Sequence, residues 1–418
     1  AAACACGWAG ARPTPGGLGR RAWRVPLFGG PGAPPPAAAR RVESRADEPL
    51  RQNVITEQVA GRRSSRCARR PAAGQSEGRS SDVAPGTRSP LETRLEVQDD
   101  PRSAEAFARA MTRGLGSAPR AIDARWLLDD AGVALLRELR RQPDHYVATA
   151  ERQVLEARAD AVPLYFPDKA PLVVEYGVAD TARTGALLTE LLEAFGSLEY
   201  VAVGPSLAAV EPPCRELLAA HPRLSAKAQV GRLEDALAVA RAATSPGCVF
   251  WPGADLGARE RAEAIGTLRS VSSILRGRAL LVAGVDLGKD PRVAERCHAD
   301  RKGVGKRLHM HLLTRLVREL GADLDPALFR HRTQYDAESG RLDAFVVSRR
   351  SQAIRLAALD LTVELAKGEA IRVETATKFS PQEIDLTARA ADLNVHERWY
   401  DRDGRVCLNL MRPAPPAT

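Results

Sequence analysis

The sequence predicts an α/β protein: a mostly parallel, doubly wound sheet, joined to a second, smaller α+β domain and preceded by a disordered N-terminal tail. Three observations predict it. Between Pro171 and Val285, short apolar runs alternate with helix-length stretches, the pattern of β-α-β units. After Asp286 a long helical stretch gives way to three strand-like runs. The chain becomes periodic only from about residue 101.

Residues 1–100 are rich in Ala, Arg, Pro, Gly and Ser. Stretches such as Gly29–Ala39 lack the apolar surface whose burial offsets chain entropy, so this tail is expected to be disordered. It holds sixteen arginines against ten acidic residues, while the whole chain has a formal charge of +9, so the body is nearly neutral. A nucleic-acid binder carries its basic stripe on the folded part, so nucleic acid is not the expected partner. The Arg62–Arg70 cluster reads as a solvated linker, with nucleic-acid binding or a nuclear signal as the alternative. No acidic residue precedes Glu43, and an Arg-rich, acid-free start resembles an organelle transit peptide. The expected compartment is the cytoplasm, with organelle import as the alternative. Seven cysteines at 4, 6, 67, 214, 248, 297 and 407 include no CxxC pair, which argues against a structural zinc site or a disulfide scaffold. No apolar run reaches the roughly 18 residues that span a bilayer.

Glu105–Leu115 and Gly132–Arg141 read as amphipathic helices, the second carrying Val133, Leu135, Leu136 and Leu139 at near-helical spacing. Gln153–Asp160 continues as helix. Pro171–Gly177 reads as a short buried strand ending in glycine, followed by a helix over Thr184–Phe195. Glu199–Val203, Cys248–Trp251 and Ala279–Val285 are further strands, and Ala258–Arg276 is a long helix. Arg292–Leu320 reads as mostly helical, broken at Gly303 and Gly305. Three strands are expected at Leu342–Ser348, Ile354–Glu364 and Ile371–Lys378. Pro381–Ala391 is a helix with Ser380 as N-cap. Asn394–Tyr400 and Val406–Met411 flank Asp403-Gly404, a hairpin signal. Ligands of such sheets sit at the carboxyl ends of the strands.

Several segments, in order, carry a resemblance. They are Pro119–Gly132, Gln142–Glu151 with its Pro-Asp-His-Tyr, Val174-Glu-Tyr-Gly177, Asp286-Leu-Gly-Lys-Asp290, Ala357–Leu361 with Glu374 and Lys378-Phe379, and Trp399–Gly404. Together the chain resembles the histidine-specific S-adenosylmethionine-dependent methyltransferases, which make trimethylhistidine on the route to ergothioneine. The likeness covers about residues 104–412. It implies a Rossmann-like methyltransferase sheet. The cofactor domain would be 150–288 plus 379–412, and 101–149 plus 289–378 would cap the substrate.

The resemblance implies S-adenosylmethionine as cofactor and a small-molecule amine as substrate; a monomer working away from membranes is expected. It places Glu175, Gly177, Ala179 and Ser206 at the cofactor. It places His145, Tyr146, His298 and Glu374 at the substrate, Glu374 holding an imidazole in the family. It assigns no catalytic residue. Methyl transfer needs a neutral amine lone pair about 3 Å from the methyl carbon, so positioning supplies much of the rate. The chain departs from the family at several places. The loop after Gly177 reads Val178-Ala-Asp-Thr181 where the family is richer in Gly and Ser, and Gly204-Pro205-Ser206 stands where it has an acid. Arg232 replaces an acid of the cofactor side. Leu128, His145 and His298 stand at tyrosine positions, Gly253–Ala258 lacks the family's asparagine, and Ala376 replaces a serine. These changes point away from free histidine as substrate.

Other motifs carry less. His309-Met-His311 and the Cys297–Asp300 neighbourhood could suggest a metal, but a spacing of two puts His309 and His311 on different helix faces, and no metal site is expected. Gly303-Val-Gly-Lys306 is not a phosphate loop, because Asp300 and Arg307 occupy the positions of its first Gly and its Ser/Thr. The expected function is therefore N-methylation of a small amine or amino acid. The alternative is a catalytically silent paralogue of the same fold acting as a binding protein, its cleft filled by Arg232 or other bulky side chains.

Overall fold

The computed structural model describes residues 94–98, 103–275 and 279–414. Most of the expected disordered tail, with the Arg62–Arg70 cluster, lies outside the described residues. Within the tail's expected span the structure contains a strand, β1 (Leu95–Gln98), paired in parallel with a later strand. Backbone pairing at a sheet edge, an ion pair from Glu96 to Lys227 at 2.8 Å and the packing of Leu95 hold it, and three of its four residues are exposed, so composition carries no sign of it.

Helices α1 (Ser103–Gly116), α2 (Asp130–Arg140) and α3 (Val147–Arg158) come next. Asp129 caps α2 by accepting from Gly132 N–H at 2.8 Å. The winding then begins: β2 (Leu172–Tyr176), α4 (Thr181–Phe195), β3 (Leu198–Gly204), α5 (Leu207–Ala220), β4 (Leu224–Val230), α6 (Leu233–Ala242), β5 (Gly247–Trp251), α7 (Arg261–Ile274) and β6 (Leu280–Asp286). All of β5 and β6 is buried, as strands covered by helices on both faces must be.

The unit α5–β4–α6 had no counterpart in the sequence reading. Pro212 and Pro213 sit inside α5, and β4 has the sequence Leu-Ser-Ala-Lys-Ala-Gln-Val, without a continuous apolar run.

Helices α8 (Pro291–His298) and α9 (Val304–Leu320) follow. Gly303 does break the helix, in the left-handed region at φ 70°. Gly305 does not: it lies in the first turn of α9, where a Cβ would come 2.0 Å from the His298 carbonyl oxygen. It is there for close approach to α8. Strands β7 (Phe329–Asp336) and β8 (Arg341–Ser348) pair next. The expected single strand Ile354–Glu364 is a hairpin of β9 (Gln352–Leu356) and β10 (Leu361–Leu365), turning at Asp360 with φ 47°. Then come β11 (Ala370–Thr377), α10 (Pro381–Arg389) under a Ser380–Glu383 capping box, β12 (Leu393–Tyr400) and β13 (Val406–Pro413).

The large sheet runs β1-β4-β3-β2-β5-β6-β13-β12. The strands from β1 to β6 are parallel, and the terminal hairpin closes the edge antiparallel. A separate three-stranded sheet, β11-β8-β7, packs with α1 and α9 around its own apolar cluster, including Phe107, Met111, Leu312 and Val346. The fold is the expected Rossmann-like α/β sheet with a smaller α+β part. The chain order reverses between β2 and β5, so the crevice outside their carboxyl ends is the natural ligand position.

Candidate functional site

A cavity occupies that crevice. It runs from Gly177, Pro205 and Gly253 at the strand ends to His298, Glu374 and Lys378 on the smaller sheet's side. Of the residues proposed from sequence, Gly177, His145, His298 and Glu374 line it, whereas Glu175, Ala179, Ser206 and Tyr146 stand behind its wall.

At the strand ends, Gly177 has φ 124°, a conformation that favours glycine, and no atom lies within 4 Å of where its Cβ would be. Glu175 is fully buried, accepting from Thr184 Oγ1 and Tyr200 Oη at 2.7 Å each and from Arg183 Nη2 at 3.3 Å. Arg183 also donates to Glu151 Oε2 at 3.0 Å, and Glu151 accepts from the Gly253 amide at 2.8 Å. Burial disfavours the Arg183 charge, but Glu151 and Glu175 outweigh it and hold the guanidinium above its ordinary value. Ala179 gives its amide to the Ala209 carbonyl. Ser206 is the N-cap of α5, yet its Oγ is buried without a hydrogen-bond partner among the described residues.

Gly204 ends β3 where the family's acid was expected. A Cβ there would lie 2.4 Å from the Gly177 carbonyl oxygen and 2.8 Å from Val210 Cγ1, so the chain has closed that space. Gly204→Asp is therefore expected to cost about 1–3 kcal/mol of overpacking, read as a lower unfolding midpoint. An unchanged midpoint with tighter cofactor binding would contradict it. Arg232 does not line the cavity. Its side chain is 61% exposed and lies 3.7 Å from Glu234.

The far end is a chain of buried polar groups. Asp286, the last residue of β6, accepts from Tyr146 Oη at 2.9 Å and pairs with Lys378 Nζ at 2.6 Å and with Lys289. Burial raises its carboxyl, but Lys378 and Lys289 outweigh that and hold it below its ordinary range. Lys378 Nζ reaches His298 Nε2 at 3.0 Å, and His298 Nδ1 reaches Glu374 Oε2 at 3.2 Å. An ammonium at Nε2 assigns the ring proton to Nδ1, which then donates to the carboxylate. The same Glu374 oxygen meets His309 Nε2 at 2.5 Å, and His309 Nδ1 meets His331 Nε2 at 2.9 Å. Burial disfavours the Glu374 charge, but His298 and His309 hold it well below the carboxylate range. A β-bulge at Val373 breaks the register between Arg372 and Glu374, re-aiming the strand where Glu374 faces the cavity. Burial, Arg140 and His298 push His145 down to about 3.

His309 and His311 do face apart: His311 Nε2 binds Asp129 at 2.7 Å. Arg140, Arg183 and His309 line the cavity but were not singled out as site residues from sequence. Lys378 and Asp286 were visible only as members of the matched segments. Chemically, one end offers open backbone at Gly177, which suits the close approach of a nucleoside. The other offers an ionised carboxylate locked by two imidazoles, which suits an amine or imidazole N–H.

Comparison with known proteins agrees with this geometry. The family model described as "Histidine-specific methyltransferase, SAM-dependent" matches residues 107–413. A histidine N-alpha-methyltransferase of Mycolicibacterium smegmatis is 27% identical over 74% of this chain and 95% of its own length. One from Mycobacterium tuberculosis is 26% identical over 73% and 94%. Among solved structures, the CcbJ methyltransferase of Streptomyces caelestis overlaps with a TM-score of 0.34 and 18% identity, over 63% of this chain and 90% of that one. The chain belongs, as a divergent member, to the family of histidine-specific, S-adenosylmethionine-dependent methyltransferases.

Proposed function

We propose that the protein transfers a methyl group from S-adenosylmethionine to the nitrogen of a small amine bound against Glu374. The observation that carries this reading is the continuity of the cavity from Gly177 to Glu374. The cofactor supplies an electrophilic methyl on a sulfonium. Gly177 allows close approach of the backbone. Glu374 would orient the acceptor through an N–H, its own position set by His298 and His309. Lys378 stays on Asp286 and His298, so its charge does not oppose the positive charge that develops on the neutral amine as it takes the methyl, as an unpaired ammonium would.

The relatives' names point to histidine. Here Leu128, His145, His298 and Ala376 stand where the family has tyrosines and serine, so free L-histidine is proposed to be a poor acceptor. The silent-paralogue alternative is not favoured, because Arg232 points to solvent and the space beside Gly177 is open.

Calorimetric titration of the full chain with S-adenosylmethionine and S-adenosylhomocysteine tests the reading. It should then be followed by methyl transfer from labelled cofactor to a panel of amines and amino acids. Binding of both nucleotides with label in at least one amine is expected. No heat at millimolar ligand would overturn it.

A further inference from the structure

We propose that Arg140 is a carboxylate receptor in the cavity wall, taking the carboxylate of an amino-acid group bound there; this rests on the methyltransferase reading. Arg140 is the last residue of α2, and its guanidinium lines the cavity. A guanidinium presents five N–H donors in a planar fork. Among the described residues Arg140 uses only one partner, the Val178 carbonyl, at 3.0 Å from Nη1. No carboxylate pairs with it.

Arg183 nearby differs. Glu151 and Glu175 bind its Nη1 and Nη2, and its remaining Nε is buried without a partner among the described residues. The two guanidinium groups flank Gly253, where a Cβ would stand 3.9 Å from Arg140 Nη2 and 4.0 Å from Arg183 Nη1. Burial and the neighbouring Arg183 lower Arg140 to about 10, so it remains cationic at neutral pH. Asp180, Glu151 and Glu175 offset that charge from a distance but make no hydrogen bond to it. Arg140 is thus short of direct acceptors, with one hydrogen bond among the described residues. A carboxylate seated across the fork would supply two charge-assisted hydrogen bonds. The bond to Val178, beside Gly177, fixes this receptor next to the cofactor loop, and His145 flanks it on the cavity wall.

The methionine end of the cofactor and an amino-acid methyl acceptor share this chemistry. Calorimetry on the full chain separates them, comparing wild type, Arg140→Met and Arg140→Lys. The probes are S-adenosylhomocysteine, 5′-methylthioadenosine, which lacks the amino-acid end, L-histidine, and histamine, which lacks the carboxylate. If the carboxylate is the cofactor's, Arg140→Met weakens S-adenosylhomocysteine about ten- to a hundredfold and leaves methylthioadenosine unchanged. If it is the acceptor's, both nucleosides keep their affinity and the preference for L-histidine over histamine disappears. Arg140→Lys should fall between wild type and Arg140→Met. Unchanged affinities for all four probes overturn the assignment, and so does equal weakening of both nucleosides, the mark of a structural role. Wild type binding S-adenosylhomocysteine, with Arg140→Met changing neither that affinity nor the preference for L-histidine over histamine, refutes Arg140 alone. Wild type binding none of the four refutes the methyltransferase reading as well.

Discussion

Glu151→Ala is expected to lower the free energy of unfolding by about 3–5 kcal/mol, the usual cost of breaking a buried ion pair by removing one partner. Glu151 is fully buried on α3 and serves two groups at once, Arg183 Nη1 and the Gly253 amide. Its removal leaves a fully buried guanidinium with Glu175 alone, at 3.3 Å, and an orphaned backbone donor. The site is built around this carboxylate: at Gly284 on β6 a Cβ would come within 1.8 Å of Glu151 Oε1. Relaxation that fills the void is therefore limited. Urea unfolding at pH 7 reads the effect, and a loss below about 1 kcal/mol would contradict the account. Glu151→Ala combined with Arg183→Met should be less destabilised than Glu151→Ala alone, because the stranded charge goes with it. Gly253 borders the cavity, so the single variant should also loosen the wall beside the cofactor loop.

Stability should fall in two stages as the solution is acidified. The first lies between about pH 6.5 and 3, and histidines cause it. His145 is held at about 3 by burial and the nearby Arg140, and its Nδ1 is shut from solvent without a partner among the described residues. His331 is held at about 4 by burial and His309, with Glu374 pulling the other way and Lys306 adding to the depression. In the unfolded chain both return to about 6.5. The unfolded state then binds more protons below that pH, so stability drops as pH falls. From pH 6.5 to 5, His145 contributes a loss of up to about 2 kcal/mol. The second stage belongs to Asp286 and Glu374. Their folded values are depressed, so their contribution is present above the unfolded carboxylate value near 4 and is lost as pH falls through the folded values. Unfolding midpoints against pH test this. His145→Asn should flatten the curve between about pH 6.5 and 3 and leave the region below 3 unchanged. A wild-type curve flat from 7 to 5 would refute the histidine stage.

Much of the fold was written locally. Strands β2 and β6 are legible because a parallel strand covered on both faces must be apolar throughout, and Val173, Val174, Leu281 and Val282 are. Helix α10 is legible because Ser380, Pro381 and Glu383 satisfy its first turn among themselves. Strands β4 and β7 are not legible, since their lysine, glutamine and arginines fit a sheet only once neighbouring strands supply the ladder. Strand β1 escapes for the same reason.

The site divides in the same way. The order of motifs along the chain identified the methyl-transfer family and singled out Gly177, His145, His298 and Glu374. Which groups satisfy one another was settled only in three dimensions. Glu151 meets Arg183 across 32 positions, and Glu374 meets His309 across 65. Glu175, expected at the ligand, is spent on Arg183, Thr184 and Tyr200. A one-dimensional pattern records which side chains must be buried, because burial repeats with the period of the backbone. It does not record which buried charges become neighbours, because electrostatic pairing depends on distances that only the packed chain defines.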